Sequence, residues 1–428
     1  MTEPGDWRNG LRPHVADEIE HIVRAFRDRP DGAKEITVVP VDGGVDHMFA
    51  EGEILVREEH LDRVLEAVEH PTRQELEQAG RLQPVIAGHV LVTLGEPHPT
   101  VSAALDRVEQ RHGRGIASPN HVLTVCPDGA AHACPATEPE EVYYHVEPHP
   151  GVCWDGDGRG VLVYTADTGL LRDAETHPWL AGVQVADPAR DYDPHTPMTG
   201  SPPAIPPYTG HGTFVAGVLR CMAPAADIIV TNAFSFAGST VESDLVQRLE
   251  TAYRHGVDIF HLTIACPSRH DLPLPAFGEW LRRLGASKGT VCVAAAGNSG
   301  KRRPTWPAAF PEVISVGALG ADWRSRASFS NYGPWVDVYA PGRDIVNAFA
   351  TGAYTCHVGP YTGQVRNFYG MAKWSGTSFS TPIVTGLIAS RMSRTGENAK
   401  HAAAALLAEA RAAAIPGVGP VLLPRRTS

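Results

Sequence analysis

The sequence predicts an α/β protein in two parts, a larger domain built from strands that feed helix starts and a smaller α+β domain ahead of it. Three observations carry that reading. The chain has 428 residues, more than one hydrophobic core usually supports, so two domains are expected. Apolar runs such as Val161-Leu162-Val163-Tyr164 and Thr290-Val291-Cys292-Val293 read as strands, and the glycine-flanked segments around His211 and Ser378 open onto apolar runs that read as helices. The first 125 residues alternate shorter strand-like and helix-like segments.

In chain order, Val15 to Arg27 reads as a helix and Glu35 to Val39 as a strand. Gly52 to Arg57 reads as a strand, Glu59 to Val68 as a helix and His89 to Leu94 as a strand; Val101 to His112 then reads as a helix and His121 to Val125 as a strand. This alternation predicts a small α+β sandwich over residues 1–125, and it is not a catalytic layout. Residues 126–152, rich in Pro, Ala, Glu and His, read as the connection to a domain over 153–428. Within that connection Glu138 to Glu141 reads as solvated. Pro148 separates His145 from His149 and opposes a ligand pair on one helix face.

The larger domain carries the chemistry. Asp167 closes the strand Val161 to Ala166, where sites form at the carboxyl ends of an open α/β sheet. The Pro-rich stretch Asp187 to Pro207 reads as a surface loop near the cleft rim, a candidate lid or partner contact. His211, between Gly210 and Gly212, begins an apolar helix. Ser378, in Gly376-Thr377-Ser378, opens another, with its backbone N–H at the positive end. Serine is a weak nucleophile unless a base takes its proton, and His211 supplies a base that Asp167 can orient. In Ala294-Ala295-Ala296-Gly297-Asn298-Ser299-Gly300, the small residues Ala295, Ala296 and Gly297 admit a substrate backbone. The Asn298 amide there can donate to a tetrahedral oxyanion together with the Ser378 N–H. The chain order Asp, His, Ser is that of the subtilisin-type triad and of neither the chymotrypsin nor the α/β-hydrolase type. Each segment also has a structural reading, Gly-Thr-Ser as a helix cap above all; four in order argue for a site. Asn398 to Ala414 reads as a helix packed outside the core, ended by Pro416 and Gly417.

With these motifs the chain resembles the subtilisin-like serine peptidases, the subtilase family, over residues 153 to 412. Gly158-Arg159-Gly160, Phe310 to Ala318, Phe329 to Gly333 and Ala340-Pro341-Gly342 add to the match. The resemblance implies a three-layer α/β/α domain with a mainly parallel sheet, and peptide-bond hydrolysis through an acyl-enzyme. It implies Ser378 as nucleophile, His211 as general base and acid, Asp167 as its orienting group and Asn298 as oxyanion donor. It also implies that Leu262, Thr263 and Ile264 border the substrate strand, where the family usually carries a Ser-Leu-Gly type stretch. Here Ala265 and Cys266 lie near the expected glycine, and a Cβ there narrows the room for a substrate. Phe379 and Ser380 stand where the family usually has Met and Ala. The chemistry implied requires no cofactor. Structural calcium is common in the family and stays open here, since no oxygen-rich loop has ligand spacing that names metal residues. In outline the first 125 residues resemble subtilase prodomains, which would inhibit in cis; a regulatory, partner-binding module fits the element order equally. In the first case cleavage is expected within 126–152.

Composition bounds the partners. Net charge is −11, against a nucleic-acid surface, and the short run Lys301-Arg302-Arg303 reads as a solvated loop. The polar start Met1 to Trp7 has no apolar leader and no apolar run of spanning length occurs, so a cytoplasmic protein without a membrane partner is expected. Seven cysteines at irregular spacing suit free thiols in a reducing compartment; Cys126 and Cys134 would suit a short disulfide only in an exported protein. Two functions stay open: a peptidase acting on peptide or protein substrates, and an inactive or latent peptidase-like protein that binds partners in signalling or assembly.

Overall fold

The computed structural model describes residues 8, 11, 13–29, 32–41, 44–68, 72–95, 99–125, 136–143, 146–153, 156–193, 204–234, 237–287, 289–357 and 360–424. Cys126, Cys134, His145 and residues 194–203 of the Pro-rich loop lie outside the described residues. The N-terminal unit runs α1 (Pro13–Arg27), β1 (Ile36–Val41), β2 (Gly44–Arg57), α2 (Leu61–Val68), α3 (Arg73–Gln78), β3 (Leu82–Ile86), β4 (His89–Thr93), α4 (Val101–His112) and β5 (Ala117–Thr124). The larger unit begins β6 (Leu162–Asp167), β7 (Val183–Val185), β8 (Ala204–Ile205), α5 (His211–Met222), β9 (Asp227–Asn232), β10 (Ser239–Val241) and α6 (Glu242–Tyr253). It continues with β11 (Ile259–Leu262), α7 (Pro275–Ala286), β12 (Val291–Ala295), β13 (Val313–Leu319) and β14 (Val338–Pro341). It closes with β15 (Ile345–Thr355), β16 (Val365–Trp374), α8 (Thr377–Thr395) and α9 (Ala399–Ala412).

Seven strands of the larger unit form a parallel sheet in the order β14-β13-β12-β11-β6-β9-β7. Parallel strands are covered on both faces, which is why they read as continuous apolar runs rather than alternating ones. Val163, Ile259, Val293 and Val316 pack with α5 and α8 on one face. Tyr164, Phe260 and Cys292 pack with α6 and α7 on the other. The three-layer α/β/α expectation is met, with α9 outside α8.

The N-terminal strands make a second sheet, β10-β5-β2-β4-β3 with β1 on β2. One of its strands belongs to the larger unit: Ser239–Val241 of β10 pairs antiparallel with Val122–Thr124 of β5. Leu55, Leu91 and Leu123 share a core with α6 and α7, while α2 and α4 cover the opposite face. The helix α1 packs on β1 and also reaches Ala237 and Val241. Ion pairs reinforce the contact: Arg269 with Asp106 at 2.6 Å and Glu109 at 3.1 Å, Arg29 with Asp244 at 3.3 Å, and Arg303 with Asp46 at 2.8 Å. Arg303 therefore clamps the two units and is not simply a solvated loop residue.

Two further expectations are corrected. Glu138 is buried rather than solvated, because its carboxylate accepts from the Tyr354 hydroxyl and the His357 amide. Its neighbours run along the β15–β16 hairpin, with backbone bridges Glu140 to Lys373 and His149 to Val346. The described start of the Pro-rich loop is a brace, since Asp193 accepts from the Gly210 amide at 3.0 Å and Asp191 from the Asn232 amide at 3.2 Å.

Candidate active site

Three element ends meet at the carboxyl edge of the parallel sheet. Asp167 is the last residue of β6, His211 the first of α5 and Ser378 the second of α8. The turn into α5 needs glycine after the histidine: a Cβ on Gly212 would sit 2.3 Å from the Gly169 carbonyl oxygen and 3.2 Å from Asp167 Oδ1. That close approach lets His211 Nδ1 reach Asp167 Oδ1 at 2.7 Å.

Asp167 is fully enclosed by its partners. Its Oδ1 also accepts from the Thr168 amide at 2.7 Å, and its Oδ2 from the Thr263 hydroxyl at 2.5 Å. Burial alone would raise its pKa; the His211 charge and hydrogen bond, with the bonds from Thr263 and the Thr168 amide, outweigh burial and hold it below the ordinary carboxylate value. An ionised carboxylate on Nδ1 fixes the imidazole with Nε2 turned away from Asp167. The ring is backed by Trp374 and Phe379, at centroid distances of 5.8 and 5.6 Å. Phe379, a departure from the family pattern, thus fills an aromatic wall that it shares with Phe214, 4.4 Å away.

Asn298 follows β12 and is tied to the start of α8, where its Oδ1 accepts from the backbone N and hydroxyl of Thr377, both at 2.9 Å. With the oxygen accepting from Thr377, the amide NH₂ is the side-chain group of Asn298 able to donate. Ser378 lies in the first turn of α8, where backbone N–H groups have no carbonyl to bond within the helix. A paired donor set of this kind suits a developing oxyanion.

The site is closed. Relative exposure is 0% for Asp167, 1% for His211, 1% for Ser378 and 6% for Asn298. Ser378 Oγ and His211 Nε2 are buried, and neither has a hydrogen-bond partner among the described residues. Asp167 and His211 are therefore joined, while the Ser378–His211 bond is not made.

The other sequence-predicted residues divide by role. Thr263 bonds to Asp167. Leu262 and Ile264 bury their side chains under α6 and α7. Ala296 offers its carbonyl to Thr305 at 2.7 Å and Asn331 at 2.9 Å. Gly297 has φ +98° and no room for a Cβ beside the Asn331 amide. Ala265 still pairs with an extended strand despite its Cβ: Thr124 of the N-terminal unit accepts from the Ala265 amide at 3.1 Å and donates to its carbonyl at 3.4 Å. On the other side the Val125 amide donates to the Gly238 carbonyl at 2.9 Å.

Sequence reasoning missed Thr377, Thr305 and His261. Thr377 was legible as the neighbour of the serine; the others carry no local signal. His261 lies on the face of β11 toward α8, fully buried, with no partner on either ring nitrogen among the described residues. Burial pushes its imidazole down to about 3, the nearby Asp167 opposing and His211 adding to that shift. Among the described residues no group of three or more His, Cys, Asp or Glu is arranged to hold a metal ion.

The sequence has relatives. The model of the subtilase family matches residues 158–418, and the chain belongs to that family. It is 31% identical over 275 residues to the thermophilic serine proteinase of Bacillus sp. (strain AK1), covering 59% of each chain. It is 32% identical over 254 residues to the intracellular serine protease of Paenibacillus polymyxa, covering 56% of this chain and 69% of that one. The match thus spans little more than half of the first relative's length. Among solved structures it is similar to the prenylagaramide maturation protease PagA, with a TM-score of 0.45 and 23% identity over 60% of this chain and 85% of that one.

Proposed function

We propose that this protein is a serine endopeptidase whose N-terminal unit holds it latent in cis. The observation that carries the peptidase reading is the 2.7 Å bond from His211 to Asp167 at the sheet edge where α8 presents Ser378. In this reading His211 Nε2 takes the Ser378 proton as Oγ attacks the peptide carbonyl. The resulting oxyanion accepts from Asn298 and the Ser378 amide. His211 then protonates the departing amine, leaving an acyl-enzyme. Water, deprotonated by the same imidazole, hydrolyses the ester and restores Ser378. Throughout, Asp167 keeps the ring in one orientation and stabilises its cationic form.

The cis-inhibition reading is supported by the Thr124–Ala265 pairing, since an extended peptide held beside Ala265 is how a substrate would dock as an added strand. Residues 1–125 then act as inhibitor, 126–152 as connection and 153–428 as peptidase. A regulatory partner would compete for the same contact. No helix among the described residues is long and apolar enough to cross a membrane, and the relative named as intracellular supports a cytoplasmic setting.

A second reading, a latent peptidase-like protein that mainly binds partners, is favoured by the missing Ser378–His211 bond. Hydrolysis of an unfolded protein substrate separates the two. Activity in the wild type, lost in folded Ser378→Ala and His211→Ala, supports the peptidase; equal turnover by wild type and variants rules it out.

A further inference from the structure

We propose that the cleft between α6 and the segment after β7 binds a small organic anion, a phosphate or carboxylate head carried on an apolar body. The cleft encloses about 850 Å³ and shares no residue with the catalytic set, so the inference stands independently of the peptidase reading. Its floor follows from alternation along two parallel strands. Leu162 and Tyr164 of β6, with Ile229 and Thr231 of β9, line it from the α6 side of the sheet. Leu162 and Ile229 are only partly buried there, and the Thr231 hydroxyl donates to Tyr164 Oη at 3.2 Å. A volume of this size over a largely apolar floor, with a few polar groups converging on it, is the usual form of a small-molecule site.

Hydrogen-bond accounting on the walls gives the sign of the ligand. Three carboxylates and three guanidiniums line the cleft. Each carboxylate is met by a protein donor. Asp187 accepts from the Ala189 amide at 2.9 Å, and Asp191 from the amides of Asp187 at 2.9 Å and Asn232 at 3.2 Å. Asp244 accepts from the Arg29 guanidinium and the Ser243 hydroxyl, both at 3.3 Å. The guanidiniums of Arg190, after β7, and Arg248, on α6, are different: neither makes a hydrogen bond among the described residues. Arg248 approaches Asp191 at 3.8 Å, too long for one, although its side chain is only 28% exposed. Burial first, and the like charge of Arg190 next, hold Arg248 below the ordinary arginine value. Two cations on opposite walls thus face one cleft with N–H donors to spare. An oxyanion between them would satisfy both, because the guanidinium fork matches the oxygens of a phosphate or a carboxylate. The partly buried Leu162 and Ile229 then cover the apolar body of the same ligand.

Calorimetric titration of the full chain at neutral pH and low salt tests the site with phenyl phosphate, benzoate, inorganic phosphate and phenol. One organic anion should bind per chain, at least about tenfold tighter than inorganic phosphate, which lacks the body, or phenol, which lacks the charge. The tighter of phenyl phosphate and benzoate identifies the head. Arg190→Gln and Arg248→Gln should each weaken that binding at least about tenfold, through loss of a charge-assisted hydrogen bond. Thermal unfolding shows that each variant is folded, and the exposed Arg190 keeps the test open if the Arg248 variant is not. No binding of either organic anion, or affinity unchanged in the folded variants, overturns the assignment. Phenol bound as tightly as phenyl phosphate overturns the anionic head, and inorganic phosphate bound as tightly overturns the apolar body.

Discussion

Thr124 in the N-terminal sheet and Ala265 beyond β11 exchange both backbone hydrogen bonds, at 3.4 and 3.1 Å. In the proposed reading the N-terminal unit and an extended substrate need the same edge, and whatever loosens the first should admit the second.

Arg269→Ala tests that competition. Arg269 is 13% exposed and pairs with Asp106 and Glu109 of α4 across the contact. Losing the shielded Glu109 pair, to which the pair with the exposed Asp106 adds little, costs on the order of 2 kcal/mol. Fluorophosphonate labelling of Ser378 should quicken about tenfold, and the gap should narrow as salt rises. An unchanged labelling rate in the variant would count against cis occupancy.

Asp167→Asn should lower kcat by about 10⁴-fold with little change in KM, because the amide leaves the imidazole in the wrong tautomer. Steady-state kinetics at neutral pH check this. A loss of less than tenfold would leave Asp167 without its orienting role.

Asn298→Ala should lower kcat by about 10²–10³-fold through loss of one oxyanion donor. It also removes the acceptor for Thr377, so a drop in Tm of a few degrees is expected alongside, and comparison with Thr377→Val separates the two effects. Equal kcat losses in both variants would assign the effect to the Asn298–Thr377 tie instead of oxyanion binding.

His261 makes stability depend on pH. Its unfolded pKa is 6.5 and its folded value about 3, so between these the unfolded chain binds a proton that the folded chain refuses. Stability from this residue is complete above pH 6.5 and declines as pH falls toward 3, by a total on the order of a few kcal/mol. Urea unfolding at pH 7 and pH 4.5 should show a smaller difference in His261→Gln than in the wild type. Parallel curves for the two proteins would mean that the ring is not held neutral.

The motifs around Asp167, His211 and Ser378 were legible because close packing dictates their glycines: Gly212 abuts the Gly169 carbonyl, and nothing larger fits. Strand runs such as Val291–Ala295 were legible because burial on both faces removes polar residues from them. Helix α4 followed from its alternation with strands and α9 from its Ala-rich, helix-forming composition, and Asn398 caps the latter. The short helix α3 and the strand β3, interrupted by Pro84, were missed because six- and five-residue elements carry too little periodicity. Glu138, Arg303 and Thr305 were misread or passed over for a different reason. Glu138 and Arg303 act through partners far away in sequence, Tyr354 and Asp46, and Thr305 through the backbone carbonyl of Ala296, pairings that no local pattern records. The addition of β10 to the N-terminal sheet is hidden in the same way.

The central claim is that His211 activates Ser378, and covalent labelling tests it most directly. Fluorophosphonate treatment followed by peptide mapping should place a single adduct on Ser378 in the wild type, with none in Ser378→Ala and at least about 100-fold slower labelling in His211→Ala. An adduct on any other residue, or equal labelling of wild type and His211→Ala, would contradict it.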